Sequence, residues 1–288
     1  MSTAVITIGH GRVEHLRLQQ QGLHASAVPA EHYVLVAMQD SRLATAMAHG
    51  SPAAETIEIA CDPARLALAQ ARNRGAQHAI AAGAQLLVFL DADCVPGVHL
   101  VDRYQRAATL VDDDALLMGP VGYLPPPPPT GYELSELARL ARAHPARPVP
   151  GTDQIVDGAD PRLFWSLSFA VTAGCWTRLG GFDEGYRGYG AEDTDLAQQA
   201  HALNIGAVWV GGAWAYHQHH RSSGPAVEHL DEILENAAHF HSRWRWWPMS
   251  GWLTEFRDRG LIRYDAGAER WVRAGDPDGA GEMHLVSG

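Results

Sequence analysis

Apolar residues fall into short runs separated by stretches of helical periodicity. Ala4–Ile8 (AVITI), Tyr33–Met38 (YVLVAM) and Leu86–Leu90 (LLVFL) are runs of strand length with almost no polar interruption. Such runs suit strands buried on both faces under covering helices. Ile57–Ala60 predicts a further short strand. Val13–Gly22 reads as a helix ending at its glycine, and Pro63–Gly83 as a longer one with a proline near its start and a glycine after it. The order strand, helix, strand, strand, helix, strand predicts an α/β fold, a mostly parallel Rossmann-like sheet flanked by helices.

The second half has a different texture. Tyr104–Val111 predicts a helix and Ala115–Gly119 a strand, after which Leu124–Thr130 contains five consecutive prolines. That segment favours extended, polyproline-like backbone. Glu133–Ala143 reads as a helix, within an irregular excursion over Pro125–Pro161. The excursion is expected to be a lid or acceptor-side loop, or an indifferent surface insertion. Ser168–Ala173 and Ala207–Val210 predict strands, Gly180-Gly181 a turn with Phe182 buried beside it, and Glu192 the start of another helix. From Glu228 the chain is aromatic and helical in pattern, with Trp244, Trp246, Trp247 and Trp252, and from about Asp276 it reads as a frayed end. The expected organisation is one domain over 1–275, with a nucleotide-sugar half over about 1–120, an acceptor-side half over about 121–275, and a flexible tail over 276–288.

Composition narrows the function classes. A net charge of −11 argues against a nucleic-acid partner, and no apolar stretch is long enough to span a bilayer. The start, MSTAVITIGHGR, lacks the pattern of a signal peptide, and Cys61, Cys94 and Cys175 are odd in number and far apart. Both point to a cytoplasmic protein in a reducing compartment. All 22 basic residues are arginine, which removes P-loop and Schiff-base lysine chemistry while leaving phosphate-gripping side chains.

Candidate chemistry gathers in a few places. Asp91 and Asp93 follow the Leu86 run with one residue between them, and a continuing strand would point both the same way. Carboxylates at the carboxyl end of a central strand suit a divalent cation carrying phosphate. Gly9-His10-Gly11-Arg12 after the first strand would let a ligand approach the backbone closely. Glu192, Asp193 and Asp195 open a helix after a glycine-rich turn, and helix capping needs fewer acids than that. His217, His219 and His220 follow a strand and could add an imidazole to the cation that Asp93 binds, with His217 the leading candidate.

Four segments, ARNRG at Ala71–Gly75, FLDADCVP ending at Pro96, GGFDE ending at Glu184 and YGAEDTDL at Tyr189–Leu196, occur together in this order. In this the chain resembles a family 2 glycosyltransferase of the GT-A fold, and its later part resembles the family 7 galactosyltransferase segment. The resemblance covers about Ala4–Arg221. The chain departs from the family pattern at Gly9-His10, where Pro-Thr is usual, and at Gln39, where an acid is usual.

The resemblance implies a hexosyltransferase-type enzyme that moves a sugar from a nucleoside-diphosphate sugar, UDP first, to an acceptor hydroxyl with inversion. It implies Mn2+ or Mg2+ as cofactor, held by Asp91, Asp93, His217 and His219, with His220 as an alternate. Gly9, His10, Arg12, Asp40, Arg72, Asn73 and Asp91 would bind the nucleotide, with Asp40 at the base. Asp193 would be the catalytic base, with Glu192, Gly190 and Tyr189 on the acceptor. The acceptor could be a small molecule, a glycan or a lipid-linked molecule, and a homo-oligomer is left open. The alternatives are a non-catalytic nucleotide-sugar- or carbohydrate-binding relative and a DxD-motif phosphatase.

Overall fold

Strand and helix alternate through the first part of the chain as the apolar runs predict. β1 (Thr3–Gly9) leads through α1 (Val13–His24) to β2 (His32–Met38), and α2 (Arg42–Met47) leads to β3 (Glu55–Ile59). α3 (Leu68–Ala81) then returns the chain to β4 (Leu86–Leu90). Next come β5 (Cys94–Pro96), α4 (Leu100–Leu110), β6 (Ala115–Met118) and β7 (Val121–Tyr123). α5 (Leu137–Leu140), β8 (Arg142–Ala143) and β9 (Ile155–Asp157) punctuate the proline-rich stretch. β10 (Ser168–Thr172), α6 (Ala173–Leu179), α7 (Glu192–Ala202), β11 (Gly206–Val210) and β12 (Ala215–His217) follow. This computed structural model describes residues 1–111, 114–220 and 226–275. The chain divides into one unit of Met1–Gly188 with Glu192–Arg221, and another of Tyr189–Ala191 with Ser222–Gly288. The tail predicted from Asp276 lies outside the described residues.

An eight-stranded sheet runs through the first unit in the order β3-β2-β1-β4-β10-β6-β11-β9. β10 is antiparallel to β4 and β6, and β9 to β11, while the other pairings are parallel. The mostly parallel α/β expectation therefore holds. All five residues of β4 are buried. Leu87 and Phe89 face one apolar cluster and Leu86, Val88 and Leu90 the other, which is why the run has no polar alternation. Phe89 stacks on Phe169 of β10 at 4.6 Å between ring centres. A four-stranded sheet, β5-β12-β7-β8, sits beside the end of β4 and sets the backbone of Cys94 against that of His217.

Several local expectations are corrected. α1 continues through Gly22, where a Cβ would come within 2.7 Å of Val95, so this glycine permits close packing rather than ending the helix. Gly75 of α3 does the same against Ile6 of β1, at 2.5 Å. The predicted Pro63 helix starts only at Leu68, because Asp62 holds the preceding residues in a turn through the Ala64 and Arg65 N–H groups. Glu133–Ala143 is a short 3-10 turn and the four-residue α5, after which β8 pairs with β7 instead of continuing the helix. The Pro125–Pro161 excursion supplies an edge strand, β9, to the main sheet.

In the second unit α8 (Leu230–Trp244) and α9 (Ser250–Asp258) precede a hairpin of β13 (Ile262–Asp265) and β14 (Arg270–Arg273). Its core joins Leu230, Ile233, Leu253, Phe256 and Ile262, with Trp247, Trp252 and Trp271 packed against it. The hairpin departs from the all-helical reading of this segment. No helix among the described residues is long and apolar enough to cross a membrane.

Candidate functional site

β4 stops at Leu90, and Asp91-Ala92-Asp93 forms a turn in which the Cys94 N–H donates to the Asp91 carbonyl at 2.8 Å. The strand rule that put both carboxylates on one face therefore does not apply, and the two aim at different partners. Gln19, wholly buried on α1, holds this turn. Its Nε2 donates to the carbonyls of Asp91 (2.8 Å) and Cys94 (2.9 Å), and its Oε1 accepts from Thr7 and Tyr33. Gln19→Leu would leave the buried Thr7 and Tyr33 hydroxyls without the acceptor they share, so about 1–3 kcal/mol of stability is lost per orphaned group. Urea unfolding checks this, and unchanged stability would remove Gln19 from the support of the turn.

Asp93 meets two histidines. Its Oδ1 lies 3.5 Å from His217 Nε2 and its Oδ2 3.3 Å from His220 Nε2. One donor atom from each of the three residues falls within 4.8 Å of the other two. Pairing of His217 with Cys94 across β12 and β5, and the Gln218 N–H donating to the Asp93 carbonyl at 2.7 Å, bring the segments together. Burial alone would raise the Asp93 pKa, but hydrogen bonding to His220 and the charges of His217 and Arg12 hold it at about 2. Burial lowers that of His217. An ionised carboxylate beside neutral imidazole is the state that ligates a divalent cation. His219 stands apart from this trio, exposed, with its N–H donating to Tyr132 Oη at 3.1 Å. Asp91 is not one of the three either.

Asp91 instead joins a buried arginine. Arg72, 4 % exposed, reaches Asp91 Oδ1 and Glu192 Oε1, each at 3.1 Å, and its guanidinium lies over the Phe182 ring. One side chain of α3 thus ties the β4 turn to the start of α7. Burial and the charge of Asp93 push Asp91 up to about 6 against the pull of Arg72. Beside Glu192, Asp193 is pushed up to about 7 by burial first and the Glu192 charge second. Asp193 Oδ1 accepts from the Thr194 N–H and hydroxyl, while its other oxygen has no hydrogen-bond partner among the described residues. Asp195 is fully buried and accepts from Tyr186 Oη at 3.0 Å, which braces the turn before α7.

The predicted nucleotide side is only partly assembled here. Arg12, at a positive φ of 55°, places its guanidinium 3.5 Å from Asp93 Oδ2. The His10 Nδ1–H donates to the Met38 carbonyl at 2.7 Å. Asp40, at the end of β2, accepts from the Gly11 N–H at 2.8 Å and from the Nε and Nη2 groups of Arg42. The bond to Arg42 is the main reason its pKa falls to about 2. Gly9 abuts Leu43, Leu16 and Leu35, so it serves packing as well as turn geometry. Asn73 spends its amide on the turn before Tyr186, accepting from the Phe182 N–H and donating to the Phe182 carbonyl and Glu184.

Tyr189 and Gly190 belong to the second unit. The Tyr189 ring stacks between His229 and Trp252, at 5.0 and 5.8 Å between centres. Gly190 lies where a Cβ would come within 2.9 Å of Met249.

Among the buried polar residues that the sequence did not mark, two bear on the site. Gln19 is one. Arg147, 7 % exposed between Pro145 and Pro148, is the other. A single glutamine on a helix and a single arginine among prolines repeat with no period, so neither leaves a pattern to read.

Comparison with known proteins agrees with this architecture. The family described as the N-terminal domain of galactosyltransferase matches residues 162–221, the segment that carries Arg162 to the histidine run. Validoxylamine A glucosyltransferase of Streptomyces hygroscopicus subsp. jinggangensis (strain 5008) is 30% identical over 77 residues. That alignment covers 27% of this chain, and the chain spans only 18% of that relative's length. Among solved structures, S. aureus TarS 1-349 in complex with UDP-GlcNAc is similar with a TM-score of 0.56 at 10% identity, over 84% of this chain and 67% of that one. The mannosyltransferase PcManGT from Pyrobaculum calidifontis, in complex with GDP-Man and Mn2+, gives 0.54 at 15% identity, over 83% and 63%. The fold is that of the GT-A glycosyltransferases.

Proposed function

We propose that the first unit is a metal-dependent glycosyltransferase that moves a sugar from a nucleoside-diphosphate sugar to an acceptor hydroxyl with inversion at the anomeric carbon. The observation that carries this reading is the joining of two acid clusters by Arg72, with the Asp93–His217–His220 trio on one side and Glu192–Asp193 on the other. Asp93, His217 and His220 would hold the cation. When bound there, a divalent cation neutralises charge on the departing diphosphate.

The chain's own groups supply the rest. Arg12, 3.5 Å from Asp93, would meet phosphate oxygens. Arg72 bridges the Asp91 turn and Glu192, tying the two halves of the site to each other. Asp193 takes the proton of the acceptor hydroxyl at its unbonded oxygen as that hydroxyl attacks. UDP is the first nucleotide to test, since TarS was solved with UDP-GlcNAc, and GDP is the second, since the mannosyltransferase was solved with GDP-Man.

Asp40 is the candidate for the base end, where its carboxylate would accept from a ring N–H. Asp40→Ala is expected to weaken UDP binding by about 1–3 kcal/mol, as for a lost buried partner. Calorimetry with saturating Mn2+ reads this, and unchanged affinity would move the base pocket elsewhere. The activity itself is tested by release of nucleoside diphosphate from a panel of nucleotide sugars without acceptor. Slow release that needs Mn2+ supports an enzyme, and binding with no release from any donor supports a non-catalytic relative.

A further inference from the structure

Arg147 is a charge with no settled partner. Its Nε, Nη1 and Nη2 are all shielded from solvent, and none makes a hydrogen bond among the described residues. The faces of its guanidinium are covered by two indoles, with Trp209 of β11 4.8 Å and Trp165 5.2 Å from its central carbon. Stacking of this kind stabilises a guanidinium through its faces and leaves the N–H groups on its edge unsatisfied. A buried cation with unmatched donors is costly, so the fold holds it there at a loss of stability that a ligand could offset.

Its surroundings belong to the candidate site. Ring contacts run from His217 to Tyr123 (5.0 Å), from Tyr123 to His144 (6.3 Å) and from His144 to Trp165 (4.8 Å). The groups that act most strongly on Arg147 are Tyr104, Tyr123, Asp193 and Cys94, of which only Asp193 is a carboxylate. Asp193 makes no ion pair with it and is itself raised into the neutral range, so it is no settled counter-ion. A planar fork of donors in a dry, aromatic slot matches a phosphate or a carboxylate better than any neutral sugar hydroxyl.

We infer that Arg147 is an anion-binding residue, its fork receiving an oxyanion of the substrate once the Pro125–Pro161 segment that carries it shifts. The inference rests on the nucleotide-sugar reading only for which anion arrives. The diphosphate of the donor and a carboxylate on an acidic sugar present the same chemistry to the fork.

The test is calorimetry on the full chain with Mn2+ present, using UDP, inorganic pyrophosphate and glucuronate as probes against wild type and Arg147→Met. Methionine keeps an apolar stem between the two indoles and removes the charge. Loss of a charge-assisted contact is expected to weaken the matching probe by roughly 10–100-fold. Weakening of UDP and pyrophosphate assigns the donor diphosphate, whereas weakening of glucuronate alone assigns a carboxylate. Where Arg147→Met does not fold, Arg147→Lys carries the same comparison, because it keeps charge and stem but cannot present a fork. Equal affinities for all three probes with only a lowered melting temperature would reduce Arg147 to a stacking element and overturn the inference, as would a wild type that binds none of them. A wild type that ignores UDP, and GDP added as a fourth probe, yet binds pyrophosphate or glucuronate through Arg147 would instead overturn the nucleotide-sugar reading and leave this one standing.

Discussion

Asp193→Asn is expected to lower turnover by roughly 10²–10⁴-fold while leaving donor binding and stability near wild type, the loss that follows when a general base is removed. The substitution is chosen because asparagine also serves well at a helix start, so a pure capping role for this residue would leave the rate nearly unchanged. Burial and the charge of Glu192 raise Asp193 to about 7. Below that pH the carboxyl is protonated and cannot accept a proton, and above it the base is available. The wild-type rate therefore rises with pH through a midpoint near the raised pKa, and the variant loses this limb. Initial-rate measurements between pH 5 and pH 9 on both proteins check this. Wild-type turnover by Asp193→Asn on the true acceptor would remove the residue from the chemistry, and a product that retains the donor's anomeric configuration would remove inversion.

Asp93→Ala is expected to abolish Mn2+-dependent nucleotide binding and, with it, transfer. The residue contributes both oxygens that face His217 and His220, so its loss leaves two imidazoles with no anionic ligand between them. The fold should survive, because the turn is held through main-chain carbonyls. Gln19 binds those of Asp91 and Cys94, and the Gln218 N–H binds that of Asp93. Circular dichroism then reads as wild type while calorimetry with Mn2+ and UDP shows no heat above the metal-free control. Tight Mn2+-dependent binding by Asp93→Ala would place the cation elsewhere.

The fold was legible where burial is uniform and local. Leu86–Leu90 is apolar throughout because both faces of β4 are covered, and the Gly180-Gly181 turn with Phe182 beside it is likewise found as read. Legibility failed where a distant partner decides the conformation. The Asp91 turn is shaped by Gln19, far away on α1, so a strand continuing to Asp93 was the natural but incorrect extrapolation. Three histidines in four residues suggested an imidazole beside Asp93, with His217 first and the choice between His219 and His220 open. β12 ends at His217, so no strand period governs the residues beyond it, and it is His220, not His219, that turns toward Asp93. Arg72 was readable as part of ARNRG, but its bridge between Asp91 and Glu192 joins residues on three separate elements. Arg147 could not be read at all, since what marks it is the lack of partners in space.

A cation held by the Asp93–His217–His220 trio would recruit a nucleoside diphosphate to the folded chain. A thermal-shift measurement with UDP and GDP, each with Mn2+ and with EDTA, tests it most directly, because a ligand that binds only the folded chain raises its melting temperature. A rise is expected for at least one nucleotide with Mn2+, and it should vanish in EDTA and in Asp93→Ala. A melting temperature unmoved by either nucleotide with Mn2+, or moved equally in EDTA, would contradict it.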